Sequence, residues 1–325
     1  MPQGSAISAI EKPRQTPPSM ASIAQRIGLM RPIDCIHAGI TKVETMAPPN
    51  IDSVTIAQRD GMSRAVSHLL DLGHKRIALV ISVLALFLGF RSNSAYARWW
   101  EGRSLWGLMI NASRNISREA RNFLPAEEAH DLRRTIVLRQ IAYVNALRCQ
   151  LRKQPVDEQV LKYLSRGEAE PALARTNIAN GLLDGTGRRI DDARRAGLID
   201  TIQQTRMEST LVDIANSQGG MERLKNTPLP NQFRFFPTLF THVFCILLPI
   251  GLVETLGFAT PLGSTVAGLM FLAVLAIGDD LVDPFANTVH DLPLSAMCRT
   301  IEIDLLQSIG DEAPAPLTPV KGILW

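Results

Sequence analysis

FFPTLFTHVFCILLPIGLV (Phe235–Val253) and TLGFATPLGSTVAGLMFLAVLAIG (Thr255–Gly278) are runs of 19 and 24 residues without a single Asp, Glu, Lys or Arg, and only Glu254 separates them. A helix needs about 20 apolar residues to cross a hydrocarbon layer of ~30 Å, whereas a buried core helix usually offers 10 to 14. Each run is therefore long enough to span, and the pair reads as an antiparallel membrane hairpin. Pro249 is tolerated inside the first helix because neighbouring helices can satisfy the carbonyl it frees.

Charge is distributed around this hairpin unevenly. Residues 91–234 carry 23 Lys and Arg against 16 Asp and Glu, and residues 254–325 carry 2 against 9. Basic flanks favour the cytoplasmic side of a membrane, which places 98–234 in the cytosol and returns the C-terminus there. The expected location is a cell membrane, crossed more than once. The same basic segment does not suit nucleic acid, since acids are interleaved with the bases and no aromatic pattern accompanies them.

Chemistry-bearing motifs are missing. Cys35, Cys149, Cys245 and Cys298 stand far apart without CxxC or CxxH spacing, so they read as free thiols rather than a zinc site or disulfide framework. No HExxH, GxSxG, Walker or GxGxxG pattern is present, which leaves an enzyme reading without nucleophile, metal or cofactor.

The chain before the hairpin divides into parts. Residues 1–21, with four prolines and no apolar core, read as a disordered N-terminus. Residues 22–80 look soluble, and VSHLLDLGHKRIALV (66–80) reads as a helix, a glycine stop and a buried strand. Residues 54–80 resemble a fragment of the effector-binding domain of Lac-repressor-type regulators. A closed α/β domain needs several such units, so 22–80 is expected to be a small α/β-like fragment with no ligand-binding role.

Ile77–Phe90 is an uncharged run of 14 residues that continues without proline or turn signal to Pro125. Within Ser94–Phe123 two heptad series, Trp99, Trp106, Ser113, Ala120 and Gly102, Met109, Ile116, Phe123, mark the packing seam of a long helix. Arg98, Glu101, Arg103, Arg114, Arg118 and Arg121 fall outside the seam. Leu132–Leu151 and Asp200–Asn216 are further helices by spacing, the second stopped by Gly219-Gly220. No segment in 91–325 alternates with period 2, so this region is expected to be all-α.

LGFRSNSAYARWWEGRSLWG (88–107), GGMERLKNTPLP (219–230), CILLP (245–249) and DPFANTVHDLPLSAMCRTIEIDL (283–305) together resemble the bestrophin family of ion channels, most closely its bacterial branch. The resemblance covers about 81–310. It implies a homopentamer of identical subunits in a lipid bilayer, with membrane helices near 77–97, 235–253 and 255–278, cytosolic helices within 98–234 and 295–309, and a flexible tail from 313. It also implies passive conduction of chloride or other monovalent ions, and residues 22–80 stand where the family carries a further membrane helix. The resemblance places the pore neck at Ser82, Leu86 and Phe90, one helical turn apart on one face, where apolar rings can gate by dewetting. A second, cytosolic constriction is described in the family by an apolar residue two places after the Asn that begins a short helix; aligned on Asn180, this points to Leu182. The acidic run that binds calcium in animal members is reduced after Pro284-Phe285 to Asp291, so calcium, which wants six to eight oxygens, is not expected to gate. Two rival readings are a sugar-responsive regulator, supported only by 54–80, and a membrane scaffold that does not conduct.

Overall fold

The computed structural model describes residue 64 and residues 75–324 of the 325-residue chain. The N-terminal segment 1–21, Cys35 and most of the regulator-like stretch 54–80 lie outside the described residues. Helix α1, Lys75–Phe123, is followed by α2 (His130–Leu151), α3 (Glu158–Leu161), α4 (Arg166–Leu173), α5 (Ile178–Arg195), α6 (Thr201–Asn226), α7 (Asn231–Leu256), α8 (Thr260–Asp280) and α9 (Leu294–Ser308). Among the described residues there is no strand, only an isolated bridge between Val320 and Ile323. The end of the regulator-like stretch departs from expectation: Ile77–Val80, read as a strand, are the opening turns of α1. No glycine or proline lies between Lys75 and Leu88, so nothing interrupts the hydrogen-bond ladder that continues into the apolar run.

Local chemistry starts the helices. Asp200 accepts the Gln203 N–H at 2.7 Å while its own N–H donates to Gln203 Oε1 at 2.9 Å, a reciprocal cap that satisfies two otherwise orphaned donors. Asn177 accepts the Asn180 N–H at the head of α5. The seam along α1 is realised: Trp106, Met109, Ser113, Ile116 and Ala120 are all buried. They meet Ile141 and Val144 of α2, Met207 and Ile214 of α6, and Ile301 of α9 in one core.

The glycine pair at 219–220 does not stop α6, which runs on to Asn226. A Cβ on Gly220 would lie 2.8 Å from a methyl of Leu105. The glycine is there so that α6 can approach α1, and a helix interior accepts it at a cost of about 1 kcal/mol.

Both uncharged runs are helical, and the contacts between them reverse in order along the chain. Phe244 stacks edge-on against Phe271 with centroids 4.9 Å apart, Cys245 Sγ lies 3.9 Å from the Gly268 carbonyl, and Thr260 Oγ1 reaches back to the Leu252 carbonyl at 3.4 Å. Helices α7 and α8 are therefore antiparallel, joined by a single 3-10 turn, Gly257–Ala259, in which Gly257 takes φ +50°. Pro237 and Pro249 lie within α7 without ending it. A second, smaller core forms where Leu84 and Leu88 of α1 meet Phe244, Leu248 and Leu275.

Cys149, Cys245 and Cys298 are free thiols. Burial pushes the Cys298 thiol up to about 12, and its Sγ lies 3.4 Å from the Val144 carbonyl. Burial thus keeps Cys298 as the un-nucleophilic thiol at neutral pH. Maleimide at pH 7.5 is expected to spare Cys298 in the folded chain and to modify it after denaturation, as read by peptide mass. Native labelling at a rate comparable to that in denaturant would refute the burial.

Candidate functional site

Helix α1 has two faces in its first third, and sequence spacing separates them. Leu84, Leu88, Arg91 and Ala95 recur at helical intervals and are buried against the hairpin. On the opposite side Leu86 is 52 % exposed and Phe90 is 58 % exposed. Ser82 continues their line one turn earlier and is half-buried. Val83 and Phe87 flank the line, with the Phe87 ring 5.4 Å from Phe240 of α7. Beside Phe87 and Phe90 a cavity of about 260 Å³ opens, closed on its far side by Phe233, Phe236 and Pro237. In one subunit, then, the exposed face presents apolar side chains at i and i+4, an arrangement without catalytic chemistry but able to form apolar rings when copies surround an axis.

The residue chosen for a cytosolic constriction is placed elsewhere. Leu182 is 0 % exposed and sits within the bundle core, where its carbonyl accepts Arg139 Nη2 at 2.7 Å. A side chain that lines a path for ions must reach solvent in the single subunit, so Leu182 is a packing residue. The helix that begins at Asn177 buries that face. Ile202 is exposed instead: it stands two places after a capping residue, here Asp200 rather than an Asn and at the head of the 26-residue α6 rather than a short helix, and is 81 % exposed. The signal in the sequence was the Asp200–Gln203 capping pattern, which marks a helix start whose second residue is an unpartnered isoleucine.

The separate sequence stretches 88–107, 219–230 and 283–305 converge around the end of the hairpin. A Cβ on Gly102 would lie 3.1 Å from the Phe285 ring, so the glycine seats the Pro284-Phe285 turn against α1. Arg98 Nε donates to the Val282 carbonyl at 3.1 Å, and its Nη2 donates to the Leu224 carbonyl. Trp99 Nε1 donates to the His290 carbonyl at 3.3 Å. The carboxylates of this turn are engaged locally. Asp283 takes Lys225 Nζ at 2.7 Å and the Phe285 N–H at 3.1 Å, and Asp291 accepts from the N–H and hydroxyl of Thr288, both at 2.8 Å. Among the described residues no three His, Cys, Asp or Glu side chains converge as metal ligands would.

One long-range pairing escaped the sequence. Arg91, next to Phe90, forms an ion pair with Asp279 of α8. The visible signal was a charge at the end of an apolar helical run, but its partner lies 188 positions away, and spacing says nothing over such a distance.

The profile of the family described as Bacterial/Fungal Bestrophin protein matches residues 52–307. This match begins well before position 81 and takes in the stretch 54–80. A voltage-dependent anion channel-forming protein of Mesorhizobium japonicum is 35 % identical over 257 residues, covering 78 % of this chain and 81 % of that one. A protein of Escherichia coli with the same descriptive name is 38 % identical over 233 residues, covering 72 % and 75 %. Among solved structures, a bacterial bestrophin homologue from Klebsiella pneumoniae superposes with a TM-score of 0.70 at 35 % identity, over 77 % of this chain and 96 % of that one. A family profile that spans most of the chain, relatives above 30 % identity across more than two thirds of both partners and a shared all-helical fold agree with one another: the chain belongs to the bacterial and fungal bestrophin family.

Proposed function

We propose that the chain is the subunit of a bestrophin-type anion channel, a homopentamer through which chloride or other monovalent anions pass down their gradient. The observation that carries this reading is the two-faced helix α1: Leu86 and Phe90 stay exposed on one side while Leu84, Leu88, Arg91 and Ala95 are buried on the other. Five copies around an axis would turn each into an apolar ring. An ion passing such a ring sheds hydration with no polar replacement, so the rings limit the current. The edge of Phe90 carries the positive part of the ring quadrupole, which suits an anion, as do the descriptive names of the relatives.

In this reading the first part of α1, α7 and α8 cross the bilayer, and the bundle and C-terminus lie in the cytosol. Support comes from the hairpin itself: Ile246, Ile250, Phe258, Leu262 and Met270 are exposed, a density of exposed large apolar side chains that a soluble protein rarely leaves to water. Ile202 is the cytosolic constriction. Calcium does not gate the channel, because Asp283 and Asp291, which a calcium ion would need, already hold Lys225 and the Thr288 turn.

The test is reconstitution of purified chain into planar bilayers under a potassium chloride gradient, together with the mass of the detergent-extracted oligomer. A mass of five subunits and a reversal potential near that of chloride are expected. Leu86→Ala removes three carbons per subunit and wets the ring, so unitary current should rise roughly twofold or more, equivalent to lowering a barrier by about 0.4 kcal/mol. An unaltered current in Leu86→Ala removes Leu86 from the path, and a potassium reversal potential overturns anion selectivity.

A further inference from the structure

Adjacent residues on a helix point about 100° apart, and here that angle separates the neck from its anchor. Phe90 faces outward, whereas Arg91 faces the hairpin and is 2 % exposed. Arg91 Nη2 is paired with Asp279 of α8, and Nη1 donates to Thr238 Oγ1 of α7 at 3.4 Å. Arg234, one turn before Thr238, stands 3.8 Å from the same Asp279 carboxylate. A Cβ on Gly278 would lie 3.7 Å from Arg91 Nε, so the backbone of α8 rests directly on the guanidinium. One side chain thus joins three helices at the level of Phe90.

Further up, α1 meets the hairpin through the aliphatic and aromatic side chains of Leu84, Leu88, Phe244, Leu248 and Leu275. Such contacts are non-directional and keep most of their burial if the helix turns a little. The hydrogen bonds of a guanidinium with a carboxylate are directional, and a buried charge that loses its partner is strongly disfavoured. The direction of Arg91 is therefore fixed far more tightly than apolar packing alone would fix it. Because the helix is rigid over one residue, fixing Arg91 fixes Phe90.

We propose that the Arg91–Asp279 pair is the positioning contact of the neck, setting the rotation of α1 and thereby how far Phe90 reaches into the conduction path. This rests on the reading of Leu86 and Phe90 as neck residues. Neither Arg91 nor Asp279 touches the passing ion; both act through Phe90.

The experiment is single-channel recording of the reconstituted full chain. Asp279→Asn keeps the shape of the side chain and removes its charge. It is expected to change unitary current or open fraction about threefold or more, to leave the reversal potential where it was, and to combine non-multiplicatively with Leu86→Ala, since both would act on one constriction. Unchanged current and open fraction, a shifted reversal potential, or simple multiplication of the two effects would each overturn the proposal. If Asp279→Asn does not assemble, Arg91→Lys is measured in its place with the same expectations, because it keeps the charge and loses the fork that reaches both Asp279 and Thr238. Should Leu86→Ala and Phe90→Ala both leave the current untouched, the neck reading falls and the positioning role with it. An effect of Leu86→Ala with none from Asp279→Asn overturns the positioning role alone.

Discussion

Replacing Trp106 with alanine is expected to lower stability by about 3–5 kcal/mol, the range for deleting a fully buried large aromatic side chain. Trp106 is 0 % exposed and lies in the middle of the seam that joins α1 to the bundle, so the surrounding helices cannot collapse on the space without bending. Its indole Nε1 is buried without an acceptor. Trp106→Phe keeps most of the volume and removes that orphaned donor, and should cost less than about 1.5 kcal/mol. Thermal unfolding of the two variants in detergent gives the order. A Trp106→Phe loss as large as that of Trp106→Ala would show that the indole N–H, and not the packed volume, carries the stability, and would refute the packing account.

The second large effect concerns Glu168 of α4. Its carboxylate takes Arg139 Nη1 at 3.2 Å, Arg189 Nη2 at 2.6 Å and the Ser165 hydroxyl at 3.0 Å. Arg139 is buried, and burial together with nearby Arg189 lowers its pKa, a shift that the Glu168 carboxylate opposes. Glu168→Gln leaves that buried cation beside a like charge and is expected to cost about 3 kcal/mol, the lower end for broken buried pairs because Glu168 remains partly exposed. Arg139→Met should cost less, since Glu168 keeps Arg189 and the buried charge is gone. The order of the two variants is the test, and a larger loss for Arg139→Met would overturn it. Burial alone would raise the Glu168 pKa, but the Ser165 hydroxyl and the two arginines bring it below its ordinary value of 4.5. A carboxylate with a depressed pKa stabilises the fold above its unfolded value and loses that contribution as pH falls through the folded one. The contribution is therefore complete above about pH 4.5 and disappears below it, and Glu168→Gln should flatten the acid limb of stability against pH.

What the sequence made legible was whatever depends on neighbours in the chain. The two uncharged runs gave the hairpin because length and charge are local properties. The seam through Trp106, Met109 and Ile116 followed from helical period, whereas the line of Leu86 and Phe90 was picked out by the family resemblance. Three readings missed because their causes lie elsewhere in the fold. Gly220 looked like a helix stop, but the methyls of Leu105, which require the glycine, come from a different helix. Leu182 was aligned on Asn180, which lies inside α5 because Asn177 is the cap, and only the packing of α5 into the core tells that Leu182 is buried while Ile202 is not. The apolar stretch Ile77–Val80 fits strand or helix by composition, and its attachment to a long uninterrupted helix decides.

Helix α1 is 49 residues long, about 74 Å from end to end. Phe90 lies near its first third and Met109, locked in the bundle core, stands 19 positions later, about 28 Å along the axis. A continuous hydrogen-bonded rod cannot absorb motion between these points as a loop would. Pivoting by a single degree about Met109 would carry Phe90 sideways by about 0.5 Å, a simple lever-arm product of the same length. The bundle is in this sense the handle of a lever whose short stroke is delivered at the Phe90 ring, so that any contact which tilts the bundle is felt there.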